Sequence, residues 1–189
     1  MTTQQVIDAV CAWVQERVAS RLEYCRADVL EDASGNPAYT PTLVHPAVYA
    51  VQIPPTAAEH GADTTAEHAV VAPCCIVTAC GDGSFDLAQG WVETPLEFRL
   101  QVWWPGTWVS HGTATELTLD ARGWRDATSF CDALVKELAD AESVGGLAVL
   151  GALDIELPDP DEYNGYPYYR AVVRCRVRHA RRPVTKFNI

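Results

Sequence analysis

Alternation of apolar and polar residues along 94–104 and 168–179, beside two stretches with apolar residues every three or four positions, predicts an α+β fold. The expected architecture is a mainly antiparallel sheet with two helices packed on one face, which buries both helical stripes. A length of 189 residues fits one domain over 1–189, and 48% apolar with 21% charged residues is globular rather than disordered composition.

At the start, Thr2 and Gln5 have capping-box spacing. Val6, Val10, Trp13, Val14, Val18, Leu22, Cys25 and Val29 then form one stripe, predicting a single long helix stopped by Ser34-Gly35-Asn36-Pro37. Residues 37–46 read as a loop, and Val48-Tyr49-Ala50-Val51-Gln52-Ile53 as a short strand closed by Pro54-Pro55. The stretch 54–68 is small, polar, acidic and aperiodic, which predicts a mobile loop. Residues 69–79 are rich in strand formers, with Pro73 setting the start at Cys74.

Further on, Gly81-Asp82-Gly83-Ser84 predicts a turn. It has neither the lysine nor the following helix of a phosphate loop. Along 94–104, Leu96, Phe98, Leu100, Val102 and Trp104 alternate with Glu97, Arg99, Gln101 and Trp103, and Pro105-Gly106 ends the strand. Residues 108–119 fit an arm or excursion. Trp124, Ala127, Phe130, Cys131, Leu134, Leu138 and Ala141 predict a second helix over 123–141, stopped by Gly145-Gly146. Strand 147–157 places Val149, Leu153, Ile155 and Leu157 on one side. The acidic, tyrosine-bearing loop 158–167 joins it antiparallel to strand 168–179, after which 180–189 is a short basic tail.

Net charge is −11, which argues against general affinity for nucleic acid. Its distribution is uneven. From Arg170 onward lie seven of the fourteen basic residues and none of the 25 acids, so the first 169 residues carry −18 and the last twenty +7. Such asymmetry points to a partner of opposite charge or to pairing within the fold. No stretch reaches the length of a membrane span, and Met1 to Asp8 lack the basic flank of an export signal, so the chain is expected to be made in a cytoplasm.

Seven cysteines, an odd number at irregular spacing, read as reduced thiols. Cys74, Cys75 and Cys80 lack the CxxC pairs of a zinc site, so no metal or other cofactor is expected. Asp159-Pro160-Asp161-Glu162-Tyr163-Asn164-Gly165 departs from a calcium loop at Pro160 and Tyr163 and reads as solvated acid. His45, His60, His68, His111 and His179 share no ligand spacing and read as ordinary surface residues; Ser110-His111 lacks a nucleophile elbow. Nothing in the sequence identifies an enzyme.

Two features suggest a contact. Trp103, Trp104 and Trp108 gather at a strand end, either as core and rim packing or as interface anchors. Arg170, Arg174, Arg176 and Arg178 share one face of the last strand, their side chains about 6–7 Å apart along it. Aligned guanidinium groups repel unless acids, phosphates or water answer them. Three readings stay open: pairing within the fold with acids such as Asp154 and Glu156, contact with another subunit, or contact with DNA, which the overall acidity disfavours.

The order of elements resembles the tail terminator, or tail-completion, proteins of long-tailed bacteriophages. The likeness is carried by the opening amphipathic helix, the Pro73-Cys74-Cys75-Ile76-Val77 strand, strand 96–104, the Gly123-Trp124-Arg125-Asp126 start of the second helix, and the closing strand after Tyr166-Pro167-Tyr168-Tyr169. These are features of pattern rather than a signature motif. The resemblance implies a structural virion protein that caps the tail tube as a hexameric ring at the head–tail joint. Its partners would be other copies of itself, the tail tube protein and the head–tail connector, with genome DNA passing through the channel unbound. An acidic lumen would keep that DNA from sticking. The resemblance implies no catalytic residue. Other head–tail connector or neck proteins, or an enzyme or small-molecule-binding domain, remain the alternatives.

Overall fold

The computed structural model describes residues 1–31, 37–51, 72–86, 88–112, 114–141, 143–158 and 167–180. Helix α1 (Thr3–Arg17) opens with the capping box, in which Gln5 N–H donates to Thr2 Oγ1 at 3.2 Å and Thr2 N–H to Gln5 Oε1 at 2.9 Å. It is shorter than its apolar stripe predicts. A 3-10 turn (Ala19–Arg21) follows, and then strand β1 (Tyr24–Glu31) pairs antiparallel with β2 (Pro37–Val44). Two sequence expectations fail here, the helix beyond Arg17 and the loop after Pro37. The physical reason is that Leu22, Cys25 and Val29 satisfy a helical period by chance, while the prolines that argued for a loop are tolerable on an edge. Pro41 lies opposite Ala27 and Pro37 opposite Glu31 in a two-stranded ladder, where each strand has a side needing no N–H donor.

The remaining strands are β3 (Ala47–Ala50), β4 (Cys74–Ala79), β5 (Ser84–Asp86), β6 (Trp91–Trp103), β7 (Thr107–His111), β8 (Ala114–Thr118), β9 (Ala148–Glu156) and β10 (Tyr168–Ala180). Helix α2 (Arg122–Asp140) precedes β9. The main sheet runs β3-β4-β6-β10-β9, with β5 added to β6. Among the described residues only β3 and β4 pair in parallel. The 81–84 stretch is not itself a hairpin turn: residues 80–83 link β4 to β5, each of which pairs with β6, and the β5–β6 hairpin turns after Asp86, where Gly90 N–H donates to Asp86 O at 2.8 Å. The 108–119 excursion is an antiparallel hairpin, β7–β8. Loop 54–68, the 159–166 segment and the tail from 181 lie outside the described residues.

Both helices pack on one face, as predicted. Val6, Val10 and Val14 of α1 and Phe130, Cys131, Leu134 and Leu138 of α2 form one core with the inward residues of three strands. Those residues are Cys75 and Val77 of β4, Leu96, Phe98, Leu100 and Val102 of β6, and Ala171, Val173, Cys175 and Val177 of β10, all 5% exposed or less. At the α2 start, Gly123 lies against the Tyr169 ring, which fills the space a Cβ would need.

On β9 two extra residues are inserted opposite β10, between the Arg174↔Asp154 and Arg176↔Leu150 pairs, and Gly151 turns there at φ 70°. An insertion of two keeps side-chain parity, so Val149 and Ile155 oppose Val177 and Val173. Ile155 and Leu157 nevertheless stay 43% and 46% exposed at the sheet's edge.

Candidate functional site

The outer face of the sheet, opposite the helices, carries the arginines of β10. Because β10 lies between β6 and β9, its outward side chains stand between two strands that each supply acids. Register sets Arg174 beside Glu97 on one flank and Asp154 on the other, and Arg178 beside Glu93. Arg174 Nε donates to Glu97 Oε2 at 2.8 Å, and its terminal nitrogens reach Glu156 at 3.1 and 3.2 Å and Asp154 at 3.4 Å. The second Glu97 oxygen accepts from Arg99 Nε at 2.7 Å. Arg178 grips Glu93 Oε1 at 2.6 and 3.2 Å, and Ser84 Oγ donates to the other oxygen at 3.3 Å.

These contacts set the electrostatics. Burial alone would raise the Glu97 carboxyl, but hydrogen bonds and charge from Arg99 and Arg174 hold it below the ordinary range. Glu93 is lowered chiefly by its hydrogen bond from Arg178. Arg174 holds its proton more firmly than usual, through Glu97 first and Glu156 next. The outer face is therefore a charge-paired ladder at Arg174 and Arg178. Asp154 and Glu156 are partners that the alternating pattern of β9 already offered. The roles of Glu93 and Glu97 became legible only once β6 was known to neighbour β10.

Arg170 and Arg176 differ. Both are exposed. Arg176 is flanked by Pro95 and Leu150, and Arg170 by Gln101, so register gives neither an acid across the strand. Among the described residues neither carries an ion pair.

The tryptophans do not form one exposed patch. Trp103 is 7% exposed and packs with Ala72 and Tyr168. Trp104 is 4% exposed, so both rings are packed within the chain rather than presented on its surface. Trp108 lies on β7, and its side chain is outside the described residues.

Trp104 anchors a cluster the sequence did not reveal. Its indole N–H donates to Asp120 Oδ1 at 2.9 Å, while Thr107 Oγ1 donates to Oδ2 at 2.5 Å and Arg122 N–H to Oδ1 at 2.8 Å. The Arg122 guanidinium lies over the Trp104 ring at 4.1 Å and reaches Cys25 Sγ of β1 at 3.2 Å. Burial pushes Asp120 up, but these donors outweigh it and hold the carboxyl low. Asp120 thus ties the base of the β7–β8 hairpin to the start of α2. A carboxylate two residues before a helix is too common a pattern to have singled it out.

The cysteines are free thiols. Burial pushes Cys74 and Cys175 up to about 12 and Cys131 up to about 11, so these stay protonated and weakly nucleophilic at neutral pH. Among the described residues no group of three or more His, Cys, Asp or Glu side chains is placed to hold a metal, and no helix is long and apolar enough to cross a membrane. His179 departs from the surface reading. It is 6% exposed, on the inward face that Val177 and Cys175 share, with Nε2 3.5 Å from Thr94 Oγ1. Strand β10 simply runs one position beyond it.

Compared with protein-family models, curated proteins and solved structures, the chain finds no match.

Proposed function

We propose that this chain is a structural assembly subunit of the tail-terminator kind, joining head to tail into a hexameric ring that caps a phage tail tube and meets the head–tail connector. The observation that carries this reading is the pair of exposed arginines, Arg170 and Arg176, on the sheet face of a chain of net charge −11. Arg174 and Arg178 on that face are answered from within the chain; among the described residues these two carry no ion pair, and another copy of an acidic chain would supply the acids. Support also comes from the element order behind the resemblance. The opening helix, β4, β6, α2 and β10 follow one another as that pattern requires.

In such a ring a heterologous interface repeats around a closed rotation. One ring face would stop tube growth and the other would meet the connector. Surplus carboxylates would leave a channel through which DNA slides without binding. No residue is assigned a catalytic role and no cofactor is invoked. Electron microscopy of the purified protein, alone and mixed with tail tubes, tests the reading. A six-fold ring at the tube end is expected, and binding to portal complexes instead of tubes would move the assignment to another neck component.

A further inference from the structure

Arg170 and Arg176 stand in two rows that run across the outer face, and the rows differ. Arg170 faces Gln101 of β6, and Gln101 faces Cys74 of β4. Gln101 is 7% exposed and Cys74 0%, and the next outward residue of β4, Ile76, is 9% exposed. These side chains are already buried in the single chain. A contact gains from the surface it removes from water, and these three leave almost none to remove. A second protein lying on that row would meet Arg170 and little beside it.

Arg176 stands in an open row. Pro95 flanks it on β6 and Leu150 on β9, and both are half-buried. The outward positions of β6 continue from Pro95 through Glu93 to Trp91, which is 38% exposed and lies about 13 Å from Pro95 along the strand. Glu93 feels the charge of Arg176 but is bonded elsewhere, Oε1 to Arg178 and Oε2 to Ser84. An exposed arginine therefore sits between two apolar side chains, with an exposed tryptophan beyond the Glu93–Arg178 pair. Arginine and tryptophan are the side chains that most often anchor protein contacts. A guanidinium is weakly hydrated, and apolar neighbours that exclude water strengthen its bond to a carboxylate.

We infer that the outer face meets a second copy of this chain at the Arg176 row, where Arg176 takes a carboxylate of that copy and Trp91 packs beside it, while Arg170 contributes little. Charge selects the partner. With 25 acids against 14 lysines and arginines, a second copy presents carboxylates in excess. The inference rests on the assembly reading of the two arginines and divides between them what that reading leaves to both.

The test uses three single variants of the full chain, Arg176→Glu, Trp91→Ala and Arg170→Glu, all at exposed positions, with circular dichroism to check the fold. Native mass spectrometry and sedimentation compare the assembly each forms, alone and with tail tubes, in multiples of the 20.7 kDa chain. Arg176→Glu and Trp91→Ala should each weaken assembly at least about tenfold, whereas Arg170→Glu should change it less than about threefold. Equal loss in Arg170→Glu and Arg176→Glu, or a six-fold ring untouched by Arg176→Glu, overturns the inference and leaves the ring reading standing. A dimer or filament that Arg176→Glu dissolves upholds the inference although the ring reading fails. A wild-type chain still monomeric at about 0.1 mM, with and without tubes, overturns both. Saturable binding of duplex DNA that Arg176→Glu abolishes also overturns the inference, because the arginine would then hold phosphate.

Discussion

Arg174 and Glu97 meet across β10 and β6 with Nε 2.8 Å from Oε2, and this contact centres a network that also holds Arg99, Asp154 and Glu156. The Glu97 carboxyl is depressed in the folded chain. A depressed carboxyl contributes stability above its unfolded pKa, and that contribution is lost as pH falls through the folded value. Thermal stability should therefore drop as pH falls below about 4.3, the ordinary glutamate value. Glu97→Gln should flatten this acid limb and lower the melting temperature at neutral pH. Equal acid slopes for variant and wild type would show that the pair contributes nothing.

Arg174 and Arg176 are two residues apart and should behave oppositely. Arg174→Glu places a fourth acid beside Glu97, Asp154 and Glu156, so it should lower the melting temperature by several degrees. Arg176→Glu has Pro95 and Leu150 across the strands and no ion pair to lose among the described residues, with Glu93 the acid whose charge it feels, so at an exposed site it should cost far less than Arg174→Glu, about 0.5 kcal/mol. Any change of particle mass should follow Arg176 and Arg170 rather than a loss of fold. Melting curves and native mass, measured on the same samples, separate the two effects.

Much of this was legible in sequence, because β6 and β10 alternate cleanly and α2 keeps one apolar face through Phe130, Leu134 and Leu138. The β1–β2 hairpin was not. Val18, Leu22, Cys25 and Val29 fit a 3.6 period as well as a strand, and only the pairing of Tyr24 with Val44 decides between them. At the candidate site, which arginines share a face could be read from β10 alone. Which of them are answered could not, since it depends on strand order, which sets β6 beside β10 and so brings Glu97 to Arg174, Glu93 to Arg178 and only Pro95 to Arg176.

Gly123 is held by the Tyr169 ring rather than by backbone conformation. Gly123→Ala gains about 1 kcal/mol of helix propensity but must displace that ring, and overpacking costs about 1–3 kcal/mol. Net destabilisation is expected by chemical denaturation. The double variant with Tyr169→Leu should recover more than the two single effects summed; strict additivity would mean that the ring is not the obstacle.

Asp120→Ala removes an acceptor shared by Trp104, Thr107 and the Arg122 N–H. Asp120 is exposed, so water offsets much of the loss and the global cost should be about 1 kcal/mol. The local effect should be larger. A two-stranded hairpin is marginal by itself, so amide exchange in β7–β8 should speed up while the α2 core keeps its protection. Unchanged exchange in the hairpin would mean that Asp120 does not clamp it.

Ring assembly is tested most directly by the mass and symmetry of the particle formed with tail tubes, recorded by electron microscopy and native mass spectrometry. Six chains closed into a ring at the tube end are expected, with the ring lost in Arg170→Glu/Arg176→Glu while that variant stays folded. A chain that remains monomeric with tubes present, or a ring indifferent to those two arginines, would contradict it.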